Sequence, residues 1–184
     1  AAAVRTRLER WLAAWLARHL RPLDRLADAG GLDGPARGIA FTLAEGMGTA
    51  ERAPLEPLLR HLSEADRATL GRLGVRFGRL HLYLADLLKP AAIEARLRLT
   101  RLWLAADIPL PPRGRTVLRD LPEELPEAVW RRFGYAPLAG LALRVDTLER
   151  LAAGLRARAR EQGGFGLPSE LAAEAGLGRG ELVR

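Results

Sequence analysis

Cysteine and asparagine are absent from the 184 residues, and lysine, glutamine and methionine occur once each, as Lys89, Gln162 and Met47. Without cysteine there is no disulfide framework, no thiolate zinc site and no thiol nucleophile. The simplest compartment for such a chain is the cytoplasm. Lys89 is followed by Pro90, so the Gly-x-x-x-x-Gly-Lys-Ser/Thr loop that cradles nucleotide phosphates is missing. Serine occurs only at Ser63 and Ser169, both in helix-capping contexts, and no Gly-x-Ser-x-Gly elbow exists. The histidines are His19, His61 and His81. None belongs to a His-Glu-x-x-His pair, so neither catalytic nor metal-ligating residues are assigned. No apolar run is long enough to span a bilayer, and the N-terminus lacks the order of a signal peptide.

The positive charge, by contrast, is abundant and one-sided. Lys+Arg number 29 against 22 Asp+Glu, a formal +7, and all but Lys89 is arginine. A GC-rich genome is the plainest source of that bias. Hydrophobic residues at 48% and charged residues at 28% provide for a buried core and exclude wholesale disorder.

Leucine-rich helical periodicity makes the fold mainly α. Val4, Leu8, Trp11, Leu12, Trp15, Leu16, His19 and Leu20 recur at helical spacing over 4–26, with Arg5, Arg7, Arg10, Arg18 and Arg21 mostly off that stripe. Asp33 and Pro35 open a second helix over 34–46, whose apolar set includes Ile39, Phe41 and Leu43. A short helix follows over 51–61. Ser63 with Asp66 reads as a capping box for a helix ending near Gly74. Residues 75–78 read as extended and 79–88 as helical. Pro90 opens a helix to Ala105, with Ile93, Leu97, Trp103 and Leu104 inward and Arg96, Arg98 and Arg101 elsewhere.

Five prolines between residues 107 and 126 predict a linker or strap. Beyond it, 127–133 and 147–161 read as helices. The organisation is therefore a helical domain over 1–106, a Pro-rich segment over 107–126 and a smaller helical appendage over 127–184. The start at Ala1 and the stop within a helical pattern at Glu181-Leu182-Val183-Arg184 read as cuts in a longer chain.

The segment from Arg72 to Arg101 holds Arg72, Arg76, Arg79, Lys89, Arg96, Arg98 and Arg101 against only Asp86 and Glu94, with Phe77, His81 and Tyr83 interleaved. Arginine on phosphate with rings stacking on bases is how single strands are held without reading sequence. Exposed arginines in ion pairs and aromatics in a core would give the same pattern. Residues 165–184 have a helix-turn-helix rhythm around Gly176, which many helical hairpins share.

The run Leu73-Gly74-Val75-Arg76-Phe77-Gly78, then His81, then Leu87-Leu88-Lys89-Pro90, resembles the C-terminal region of bacterial Suv3-like helicases. Ala36-Arg37-Gly38-Ile39-Ala40-Phe41, Phe133-Gly134-Tyr135, the stretch Leu143 to Ala152 and the segment from Phe165 extend the likeness in order. Leu84-Ala85 stands where Leu-Pro is expected, and Tyr135 to Gly140 lacks a cysteine often found there. The resemblance implies an accessory domain of a superfamily 2 ATP-dependent helicase. The RecA-like domains, with ATP and Mg, would lie upstream, and this chain would pack on them and guide a single strand of RNA or DNA. Together with the basic segment, it makes Arg76, Arg79, Lys89 and Arg96 backbone contacts and Tyr83 or His81 a stacking ring. An interaction scaffold without nucleic acid and a helix-turn-helix regulator are the alternatives.

Overall fold

The computed structural model describes residues 2–122, 125–138, 140–162, 172–173 and 176–178. The fold is mainly α, with two small three-stranded antiparallel sheets among the described residues. The helices are α1 Ala2–Ala27, α2 Gly34–Glu45, α3 Glu56–Arg60, α4 Glu64–Arg72, α5 Pro90–Leu104, α6 Glu127–Arg131 and α7 Val145–Gln162. The strands are β1 Thr49–Glu51, β2 Val75–Phe77, β3 His81–Leu84, β4 Val117–Leu118, β5 Tyr135–Leu138 and β6 Leu141–Arg144. The first sheet has the order β1-β3-β2 and the second β4-β6-β5. Among the described residues, no helix is long and apolar enough to cross a membrane.

Several local signals act as read. Pro35 stands in the first turn of α2, although Asp33 makes no side-chain cap bond there. Ser63 Oγ accepts from the Asp66 amide at 3.0 Å and its hydroxyl donates to the Asp66 carboxylate at 2.6 Å. Gly74 and Gly134 end their helical segments at φ +98° and +84°, where an L side chain is strained. α1 continues through Pro22.

Residues 79–88, expected as a helix, form a hairpin turn, β3 and a 3₁₀ turn over Ala85–Leu88. The period of two prevails here because β3 is covered on both faces. Leu82 and Leu84 turn to a helical core with Leu20, Ile39, Leu43, Leu70 and Val75. Tyr83 turns the other way and packs with Leu88, Ala136, Val145 and Leu148. A strand wrapped on both sides shows no clean alternation of apolar and polar residues.

The Pro-rich segment is a strap with partners. Its β4 pairs with β6, placing Val117 opposite Leu143 and Leu118 opposite Ala142. Ile93 and Leu97 of α5 share one buried cluster with Ile108 and Leu118 of the strap and with Val129, Trp130 and Phe133 beyond it. The apolar core therefore runs across residues 107–126. α7 adds Leu148, Leu151 and Leu155 to a cluster with Val117 and Leu143.

Four other expectations are corrected. Trp103 and Leu104 are exposed, with the Arg132 guanidinium 4.5 Å above the Trp103 ring. Phe41 is exposed as well. Arg96, expected on an outer face of α5, is fully buried. Helical periodicity assigns a face but not the partner that covers it. Here the turns after α2 and α6 close over the Arg96 face of α5.

Candidate nucleic-acid interface

β2 and β3 form a hairpin whose register sets Arg76 directly opposite Tyr83, with Thr49 of β1 opposite Tyr83 on its other edge. Side chains opposite one another in an antiparallel pair lie on one face. That face looks toward α7. Arg76, Arg79 and Lys89 are exposed and Tyr83 is half-buried. Burial first, then the charges of Asp146 and Glu149, push the Tyr83 phenol above its ordinary pKa, against the opposing pull of Arg76 and Arg150. Both guanidinium groups are therefore electrostatic neighbours of this ring.

Lys89 donates to Asp86 across 2.6 Å, with both side chains largely exposed. The Lys89 hydrogen bond and charge hold the Asp86 carboxyl below its usual value, and Arg25 and Arg76 add to that. An exposed pair of this kind is worth little on its own, so Lys89 exchanges partners readily. Arg76 thus lies directly opposite the ring, Arg150 of α7 and the acids Asp146 and Glu149 act on it electrostatically, and the exposed Arg79 and Lys89 stand at the hairpin turn and beyond the end of β3.

The turn between the strands is held by Glu149 of α7. Its carboxylate accepts from the amides of Arg79, Leu80 and His81 at 2.6, 2.9 and 2.7 Å. Three successive N–H groups converging on one anion make a backbone nest. Burial raises the Glu149 pKa, but the His81 ring and the three amides outweigh it, and the carboxyl lies below its ordinary range. A Cβ on Gly78 would stand 2.5 Å from the Glu149 carboxyl carbon and from the His81 carbonyl oxygen. Only glycine fits, and Gly78→Ala should cost about 1–3 kcal/mol in chemical denaturation.

His81 is buried beside that carboxylate, its Nδ1 3.5 Å from Glu149 Oε1. Its ring is not placed to stack on a base. Arg96 is removed from the interface outright. Its Nε donates to Ala92, one terminal nitrogen to the carbonyls of Met47 and Arg132, and the other to those of Leu87 and Phe133. Among the described residues no carboxylate pairs with it. The carbonyls of Met47, Arg132 and Phe133 follow the C-termini of α2 and α6, where helix dipoles present negative charge. Desolvation lowers Arg96 to about 9, which leaves it protonated at neutral pH.

The remaining arginines of the basic segment are engaged nearby. Arg98 pairs with Glu94 at 2.6 Å, Arg101 with Asp107 at 3.2 Å, and Arg72 bonds to Thr69 at 2.8 Å. Phe77 faces the helical core, with Arg67 4.7 Å over its ring. Of the six residues singled out from sequence, the structure brings Arg76, Arg79, Tyr83 and Lys89 onto the hairpin and its exit and buries His81 and Arg96. Arg150 was missed. It lies more than sixty residues from Tyr83 in sequence, and only the packing of α7 beside β3 brings it there.

Among the described residues no group of three or more His, Asp or Glu side chains converges as a metal site. The helix-turn-helix expectation falls almost wholly outside the described residues. Comparisons of the chain with protein-family models, with curated proteins and with solved structures find no match.

Proposed function

We propose that this chain holds single-stranded nucleic acid by its backbone, as an accessory domain of a Suv3-like ATP-dependent helicase. The observation that carries the reading is the pairing of Arg76 with Tyr83 on adjacent strands, on the face against which α7, the helix that carries Arg150, packs. Guanidinium groups neutralise phosphates in bidentate fashion, and a neighbouring ring offers a face to any base. Arg79 and Lys89 extend the patch along the hairpin. The proposal carries with it the upstream RecA-like domains as partners, ATP and Mg held in those domains, and a cytoplasmic location.

Fluorescence anisotropy with labelled single-stranded RNA and DNA oligonucleotides tests it. Arg76→Ala with Arg79→Ala should weaken binding about tenfold and lower the log-log salt slope by about 1.4, the share of two phosphates on a single strand. Tyr83→Leu, which keeps the apolar packing, should weaken binding by about 1–3 kcal/mol without changing the slope. Unchanged binding in both variants would favour the scaffold reading, in which the helices dock on a partner and touch no strand. One observation points that way as well, the exposed apolar side of α1.

A further inference from the structure

The N-terminal half of α1 stands clear of the other described residues. Every residue from Ala2 to Ala14 is exposed, and among them are Val4 at 63%, Leu8 at 60%, Trp11 at 61% and Leu12 at 45%. That stretch is about 20 Å of helix. The helix joins the core only from Trp15 onward, through Leu16, Leu20, Leu23 and Leu26. A free stretch this short is marginally helical in water without something covering its apolar side. Trp11 and Trp15 stack along it with ring centres 6.5 Å apart.

The pattern of the stripe says what kind of cover it fits. Val4, Leu8, Trp11 and Trp15 follow the four-three-four spacing of a coiled-coil seam, and Leu12 widens it on one side. Arg5 and Arg7 stand at the positions flanking that seam. From residue 2 to residue 21 the helix carries Arg5, Arg7, Arg10, Arg18 and Arg21, with Glu9 as its single acid. A second copy of α1 would set arginine against arginine. We infer that the free half of α1 is a docking seam for an amphipathic helix of a partner, with acidic residues flanking its own apolar seam. Tryptophan supplies the large buried anchors of such a contact, and the arginines select the partner by charge.

Two synthetic helical peptides with the same leucine seam, one flanked by glutamates and one by lysines, test this against the full chain by titration calorimetry. The glutamate peptide should bind and the lysine peptide should not. Leu8→Glu with Trp11→Glu should weaken the glutamate peptide about tenfold or more. Arg5→Glu with Arg7→Glu should reverse the preference between the peptides. All four substitutions fall on exposed positions, and the circular dichroism of the peptide-free variants should match that of the parent chain. Single-strand affinity should be unchanged in the Leu8→Glu, Trp11→Glu variant, which separates this seam from the hairpin interface. Equal binding of both peptides, or no binding of the glutamate peptide, would overturn the inference. So would sedimentation with phosphatidylserine vesicles, or a dimer abolished by Trp11→Glu, where the glutamate peptide fails to bind.

Discussion

Arg96→Met should destabilise the protein by about 4 kcal/mol in urea denaturation, the scale of several buried carbonyls losing a charged donor at once. Methionine fills much of the volume but donates nothing. The carbonyls of Met47, Leu87, Ala92, Arg132 and Phe133 would lose their guanidinium donors inside the core. Total stabilities of about 5–15 kcal/mol leave small margin for such a loss, and a large unfolded fraction in the variant is the expected result. Arg96→Lys should rescue only part of it, because three donors on a single ammonium cannot reproduce a planar fork reaching separate carbonyls. The loss should be global. Arg96 joins the turn after α2, the 3₁₀ turn before α5 and the turn after α6, and so spans both sides of the Pro-rich strap.

The second large effect concerns Glu149. Glu149→Gln keeps the shape but leaves an amide NH2 facing one of the N–H groups of Arg79, Leu80 and His81. A loss of about 2–3 kcal/mol at neutral pH is expected, the scale of hydrogen bonds to a charged group. The direction with pH follows from the lowered pKa of this carboxyl. A group titrating lower when folded than when unfolded contributes stability above the unfolded value, about 4.3 for glutamate. That contribution is lost as pH falls through the folded value. The stability gap between the parent chain and Glu149→Gln should therefore be full at pH 7 and close in acid. A gap independent of pH would refer the effect to packing alone. Glu149 touches no strand in this account. It positions the turn that carries Arg79, so Glu149→Gln should also weaken single-strand binding while leaving the exposed cations in place.

The sequence was most legible where one local interaction decides structure. The Ser63–Asp66 cap, the stop at Gly74, Pro35 at the start of α2 and the apolar set of α7 depend on neighbours within a turn or two. It was least legible where distant segments meet. β3 was read as helix because both its faces are covered and its leucines satisfy either period. β4, β5 and β6 are two to four residues long and lie in or after a proline-rich stretch, so no alternation could accumulate. Arg96 looked like one more surface arginine, since nothing within α5 announces that the carbonyls after α2 and α6 converge on it. The basic segment, read as one patch, divides into exposed hairpin cations, paired arginines on α5 and one buried hub. The α1 stripe was correctly read as apolar, but periodicity alone could not show that its first turns lie outside the core.

The central claim is that the face of the β2–β3 hairpin carrying Arg76 and Tyr83, with Arg150 of α7 beside it, is where a strand lies. The direct measurement is an NMR titration of the isotope-labelled chain with a short single-stranded oligonucleotide at low salt. The account predicts amide and arginine side-chain shifts concentrated at Arg76, Arg79, Tyr83, Lys89 and Arg150, fading as salt is raised. Absence of shifts at saturating oligonucleotide, or shifts confined to α1 and the strap with the hairpin silent, would contradict it.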